Sequence, residues 1–410
     1  MEHHQGSVDF ARFRRPAKQP QLPSLVHCHK LLTDHGVIQF TRGRTPDLDS
    51  GFCLDDNARA LLVAVAYLQG GSPDPVALRL GEAALEFMAD ASRDAPCYHN
   101  VMDRYGDFTD ECASPESVGR LIWALGVTAT CATQVCWRST AWQQLAAISH
   151  AVGALTSLRA RAYAMLGLAA IVDPHAASPV LAVRQRPADA DVVRWARETL
   201  YAMAAAMRFE FLRSARPGWM WWEPELTYDN ARPPEAMLRA AAALREPAFG
   251  ETGLTAMNFL ASVTQPADMF VPIGAPGWYR GGGTRPTYDQ QPLEAAAMVD
   301  MYLAAAALWG DASYLKDAKT AFGWFLGNNV AGIPVADVDI GACQDGILPN
   351  GLNPNMGAES TLAYLQAALF LEPGTQSNAP RTRRSARRSR ASTQTASIAV
   401  AALPATIIEG

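Results

Sequence analysis

The chain has 410 residues, 49% hydrophobic and 18% charged, which is enough apolar sequence for a large core and excludes a disordered or fibrous chain. At about 150 residues per domain the length suggests two or three domains, although closed barrels often use more residues in one unit. The net charge of −5 is uneven, with +5 on residues 381–410, +2 on residues 1–24 and −12 on the body, so a nucleic-acid-binding core with a basic face is excluded.

In chain order, Ala/Leu/Met-rich periodic segments broken by Pro, Gly and Asp predict helices near 25–33, 57–70, 78–92, 116–130, 140–153, 158–171, 189–208, 231–244, 251–263, 290–308, 312–327 and 357–371. No alternating strand pattern competes with them. Twelve helices make six hairpins in an all-α domain over 25–373. Residues 1–24 read as a flexible N-terminal segment and 374–410 as a disordered, basic, low-complexity tail.

The seven cysteines (Cys28, Cys53, Cys97, Cys112, Cys131, Cys136, Cys343) are odd in number, with no Cys-x-x-Cys pair, and are expected to be free and mostly buried. His27-Cys28-His29 has neighbours pointing in different directions and no second ligand cluster, so no metal is expected, and no other cofactor. No apolar run follows the N-terminal charges, and the uncharged stretch Leu121 to Trp137 is short of the ~20 residues a membrane span needs. These features predict a cytoplasmic protein without membrane or nucleic-acid partners.

Polar clusters recur where alternate helices begin: Asp55-Asp56-Asn57-Ala58-Arg59, Ser114-Pro115-Glu116 through Arg120, Tyr228-Asp229-Asn230-Ala231-Arg232, Tyr288-Asp289-Gln290-Gln291 through Glu294, and Asn355 through Glu359-Ser360. A weaker member surrounds Tyr163. The steps between Asp56, Glu116, Tyr163, Asp229, Asp289 and Glu359 are 60, 47, 66, 60 and 70 residues, one hairpin plus its loops each time. Helix capping needs only one such residue per helix and does not explain the added Arg, amide and aromatic groups. If the hairpins close into a ring, these clusters converge at one mouth.

Such a mouth suits sugars, whose hydroxyls pair with carboxylates, amides and guanidiniums and whose C–H faces stack on aromatic rings. Trp219, Trp221 and Trp222 precede one cluster, and Trp278-Tyr279 precede another. Cleaving a glycosidic bond needs two carboxyl groups, about 5–5.5 Å apart for retention or about 6.5–9.5 Å for inversion. Candidates are Asp55, Asp56, Glu116, Glu223, Asp229, Asp289, Glu294, Asp345 and Glu359.

Four segments, Gly51 to Leu61, Leu226 to Arg232, Tyr288 to Ala295 and Gly357 to Tyr364, together resemble a bacterial family of six-hairpin, (α/α)6-barrel, glycosidase-like domains. That family occurs alone or fused behind group-one glycosyltransferases. The likeness covers about residues 25–372, including Tyr98-His99-Asn100 with Asp103-Arg104 and Cys343-Gln344-Asp345-Gly346. It departs at His35, where an acidic residue or Thr is expected. The resemblance implies the barrel, a carbohydrate-related role and a glycosyltransferase as a candidate partner.

The leading expectation is an enzyme that hydrolyses or phosphorolyses an oligosaccharide. Asp229 and Asp289 are the catalytic candidates, since each follows a Tyr, Tyr228 or Tyr288, that can orient it. Asp55, Asp56, Asn57, Arg59, Arg104, Glu116, Arg120, Trp222, Glu223, Asn230, Gln290, Glu294, Asp345, Asn355 and Glu359 are the expected sugar-binding groups. One alternative is a non-catalytic glycan-binding module serving a glycosyltransferase. Another is a sugar epimerase or isomerase, which would need a positioned base such as His99.

Overall fold

The structure, a computed structural model, describes residues 22–371 apart from Ser72, 94–97, 178–180, 186–189 and Ala267. The expected N-terminal segment falls outside the described residues except for 22–24, and the expected tail falls wholly outside them.

The helices are α1 (Val26–Leu31), α2 (Leu54–Gly70), α3 (Pro75–Ala91), α4 (Pro115–Cys131), α5 (Val135–Val152), α6 (Leu158–Val172), α7 (Pro174–Ala177), α8 (Ala190–Ser214), α9 (Arg232–Leu244), α10 (Pro247–Thr264), α11 (Pro292–Trp309), α12 (Ser313–Gly323) and α13 (Ala358–Leu371). Helices α2, α4, α6, α9, α11 and α13 each pack on the next, and α13 packs back on α2. A second layer of α3, α5, α8, α10 and α12 folds back on the inner helix preceding each, while α1 covers α13. The architecture is the expected (α/α)6 barrel.

Composition explains the two layers. Inner helices are buried on all sides and mostly apolar or small, as in α6, where every residue from Leu158 to Ile171 is buried, and α11, where Pro292 to Ala305 are; their few charged residues, such as Arg159, Arg161, Glu294 and Asp300, are buried too. Outer helices bury one stripe, as α8 does with Ala196, Leu200, Met203, Met207 and Phe211. Glycines bring α4 and α6 backbone to backbone. A Cβ on Gly126 would overlap the Gly167 carbonyl oxygen, and one on Gly167 would overlap the Ile122 carbonyl oxygen.

Among the described residues, six antiparallel strand pairs of two residues per strand lie in the segments leading into inner helices. They are β1 (Leu32–Thr33) with β2 (Gly36–Val37), β3 (Thr41–Arg42) with β4 (Thr45–Pro46), β5 (Phe52–Cys53) with β6 (Val101–Met102), β7 (Glu225–Leu226) with β8 (Tyr279–Arg280), β9 (Ala336–Asp337) with β10 (Ala342–Cys343), and β11 (Ile347–Leu348) with β12 (Gly351–Leu352). Strands this short cannot display an alternating pattern, so the sequence did not reveal them. The polar clusters therefore sit where long, internally paired loops run into the first turns of inner helices, while the turns between α2 and α3, α4 and α5, and α9 and α10 are short.

Two other expectations need correction. Helix α5 begins five residues early, and α10 begins at Pro247 because proline suits a first turn. Cys28, Cys53, Cys131, Cys136 and Cys343 are free, but Cys136 is exposed and Cys112 is disulfide-bonded, which removes the thiol count as an argument for a reducing compartment. Among the described residues no helix is long and apolar enough to cross a membrane.

Candidate functional site

A cavity of about 540 Å³ opens where the inner helices begin, lined from the starts of α2, α4 and α13 and from the loops entering α9 and α11. Its carboxylates are Asp55, Asp56, Glu116, Asp289, Asp345 and Glu359; its guanidiniums are Arg59 and Arg120. Capping does not account for these clusters. Ser114 caps α4, whereas α2, α9 and α11 have no side-chain cap.

Both arginines are engaged. Arg59 bonds Asp56 at 2.9 Å and Glu359 at 2.6 Å. Arg120 Nε lies 3.1 Å from Asp55, and its Nη2 donates to the Tyr163 hydroxyl at 2.6 Å and to Asp229 at 3.3 Å. Asp55 also accepts the Ser117 hydroxyl at 3.0 Å. Burial raises Asp56 to about 6, with Arg59 opposing the rise and Glu359 adding to it.

The other three carboxylates have no arginine partner among the described residues. Tyr228 donates its hydroxyl to Glu116. Asp345 accepts the Gly357 N–H at 2.8 Å, and burial raises its pKa against that bond. The Asp289 carboxyl receives no hydrogen bond or ion pair from any described residue, although its backbone carbonyl accepts the Ala275 N–H at 3.0 Å, and burial raises its pKa. In the ring order α11 is three places from α4, so the segment carrying Asp289 enters the mouth opposite the start of α4, where Glu116 stands, and both residues line the cavity.

Asp229 does not line the cavity. It lies beneath the floor, 1% exposed, between Arg120 and Arg232 (3.3 Å each), and accepts the Tyr163 hydroxyl at 2.5 Å. Burial alone would raise its pKa; Arg232, Arg120 and the Tyr163 hydrogen bond outweigh burial and hold it below the usual carboxylate range. Arg232 continues the network to Glu235 and Asp300, both at 2.7 Å.

Other expected site residues are also off the lining and serve the scaffold. Glu294 accepts the Asp229 and Asn230 N–H groups, and burial followed by the Asp229 charge raises it to about 8. Asn230 staples its loop through Thr227, and Asn57 bridges the Val37 N–H and the Cys53 carbonyl. Gln290 accepts the Trp324 indole N–H at 2.8 Å, while Asn355 accepts the Gly43 N–H at 3.0 Å. Trp222 is a core residue whose indole donates to the Met207 carbonyl, and Glu223 pairs with Arg159. Arg104 pairs with Asp49 on the surface, and Tyr288 packs on the core. His99 bonds the Asp110 carbonyl and stacks on Phe108, away from the lining.

The cavity also contains groups the sequence did not single out. Gln39, Phe40 and Asn353 belong to none of the recurring clusters; Cys53, Asn100, Ser114, Gln291, Gly357 and Ser360 lie inside or beside recognised motifs. The aromatic side chains lining the cavity are those of Phe40 and Tyr228, whereas Trp219, Trp221 and Trp222 are all buried.

No family model matches the chain, and no curated protein does. Solved structures do. Cellobiose 2-epimerase from Bacillus thermoamylovorans is 9% identical, with 85% of this chain and 95% of that one covered at a TM-score of 0.62. Cellobiose 2-epimerase from Spirochaeta thermophila is 14% identical, with 84% and 91% covered at 0.59. A D-mannose isomerase is 12% identical, with 83% and 93% covered at 0.54. At these identities the likeness establishes the (α/α)6 fold this chain shares with them.

Proposed function

We propose that the chain is a carbohydrate-active enzyme that hydrolyses a glycosidic bond, with Asp289 as general acid and Glu116 as general base. The observation that carries this reading is Asp289: a cavity carboxyl without an ion pair, its pKa raised by burial, opposite a second carboxylate. A carboxyl whose pKa is raised by burial keeps its proton to a higher pH than an ordinary one and is suited to donate it to the leaving oxygen. Asp289 gives its proton to that oxygen as the bond to the anomeric carbon breaks. Glu116 takes a proton from water, whose oxygen bonds to the anomeric carbon from the other face. This places the two groups on opposite sides of the sugar, as inversion requires.

Two further features support this choice. Only Asp55, Asp56 and Glu359 of the lining carboxylates are paired to arginine, whereas a purely binding site would use such pairing throughout. Phosphorolysis needs a cation for the attacking phosphate, and both lining guanidiniums are already held by carboxylates within an acidic cavity. The solved neighbours are named as an epimerase and an isomerase, which gives a second reading, but the cavity lining includes no imidazole to act as a base near neutrality.

The test is incubation of the full chain with manno- and gluco-oligosaccharides, with and without phosphate, followed by chromatography of the products. Shorter sugars formed without phosphate support hydrolysis. Sugar phosphate, an epimerised product, or binding without turnover would each replace this reading with another.

A further inference from the structure

We infer that Phe40 is a preformed stacking platform for a pyranose ring at the rim of this cavity, an inference that rests on the glycan reading above and names a determinant of its specificity. Phe40 lines the cavity yet is 58% exposed. Single exposed apolar side chains are common on protein surfaces, so exposure alone would mean little. What sets Phe40 apart is how its backbone is held.

Its N–H donates to Ser50 Oγ at 3.1 Å, and its carbonyl accepts the Asp47 N–H at 2.9 Å. Ser50 Oγ donates in turn to the Asp47 carbonyl at 2.7 Å. The preceding Gln39 is fastened three ways: its N–H to the Gly51 carbonyl at 3.1 Å, its side-chain amide to the Ser50 carbonyl at 2.9 Å, and its carbonyl to the Ala358 N–H at 2.9 Å. The ring is therefore carried on a loop pinned to the start of α13, beside Glu359. A side chain whose backbone is fixed before the ligand arrives loses little entropy on binding.

Tyr228 is the other aromatic of the lining, and its ring is already flanked by the Arg159 guanidinium at 4.8 Å and by Trp278 at 6.3 Å. Phe40 is thus the aromatic with a face to offer. A pyranose has an apolar C–H face and a hydroxyl edge; the face meets Phe40 while the hydroxyls meet the acidic and amide wall. A phosphate ester or an acyclic polyol lacks that face and gains nothing from the ring.

The experiment measures oligosaccharide affinity by calorimetry in full-length D289N, with any manno- or gluco-oligosaccharide that the wild-type chain binds. Adding Phe40→Ala is expected to weaken Kd roughly tenfold, and Phe40→Trp to restore it to within about threefold. Phe209→Ala, which removes a 60% exposed ring on α8 outside the cavity lining, is expected to leave Kd unchanged. An unchanged Kd in Phe40→Ala, with an unchanged melting temperature, overturns this inference and leaves the glycan reading standing. Failure of the wild-type chain to bind any of these sugars overturns both.

Discussion

Asp229→Asn separates a structural carboxylate from a catalytic one at the residue where sequence and structure disagree most. Asp229 has φ +46°, in the left-handed region, and Asn is the neutral side chain that best tolerates it, so the substitution removes charge without adding backbone strain. In the native chain its carboxylate balances Arg120 and Arg232, both buried. Removing one partner of a buried ion pair typically costs about 3–5 kcal/mol. Arg120 keeps Asp55, and Arg232 keeps Glu235 and Asp300, so the expected loss is at the lower end, about 3 kcal/mol. Urea unfolding measures it directly, and at about 2 °C per kcal/mol the melting temperature drops by about 6 °C. A variant as stable as wild type that has lost turnover would refute the argument and make Asp229 a reacting group.

Asp289→Asn and Glu116→Gln are each expected to cut turnover by about 10²–10⁴-fold, with the unfolding midpoint retained. Because Asp289 acts in its protonated form and burial raises its pKa, the wild-type rate should fall as pH rises through a value above the ordinary ~3.9; a limb at or below that value contradicts the assignment. Gly167→Ala should cost about 1–3 kcal/mol in unfolding free energy, because its Cβ meets the α4 backbone rather than a movable side chain. Glu294 is raised to about 8 in the folded chain, so its contribution to stability is fully present below its unfolded pKa and is lost as pH rises through about 8. The ceiling of that loss is about 5 kcal/mol, and Glu294→Gln should flatten the stability profile between about pH 5 and 8; an unaltered slope would mean Glu294 is ionised throughout.

The barrel was legible because inner helices, buried on every side, are mostly apolar or small and recur at nearly constant intervals, which a single sequence displays without homologues. The mouth was legible because Asp55, Asp56, Glu116, Asp289 and Glu359 begin alternate inner helices, and helix starts at one end of a ring converge. Phe40, Gln39 and Asn353 were not legible. They reach the cavity through paired loops whose strands are two residues long, and no periodicity records where such a loop folds back. The tryptophans misled for a simpler reason: large aromatic side chains serve a core as readily as a sugar, and here Trp221 is fully buried and Trp222 nearly so.

The pair Tyr228-Asp229 and Tyr288-Asp289 shows where the sequence signal stops. Both are Tyr-Asp followed by an amide at the entrance to an inner helix, and by pattern they are equivalent. Their surroundings part them. Asp229 meets Arg232, three residues on at the start of α9, and Arg120 from α4, so its charge is neutralised inside the barrel wall. The corresponding position three residues after Asp289 is Pro292, which carries no charge, and no described guanidinium reaches Asp289 from elsewhere. An acidic residue followed at i+3 by arginine is thus a candidate for the wall, and one followed by proline is a candidate for the cavity. Asp56, followed by Arg59, fits the first half of that rule only in part: it is paired and buried yet still touches the cavity, because Arg59 shares its charge with Glu359 at the mouth. The i+3 partner therefore indicates whether a carboxylate is neutralised, and the ring geometry decides which way it faces. It is the balance of pairing against burial that bears on chemistry: at Asp229 two guanidiniums and the Tyr163 hydroxyl outweigh burial and hold the carboxylate ionised, unable to donate a proton to a leaving group, whereas at Asp56 burial outweighs Arg59.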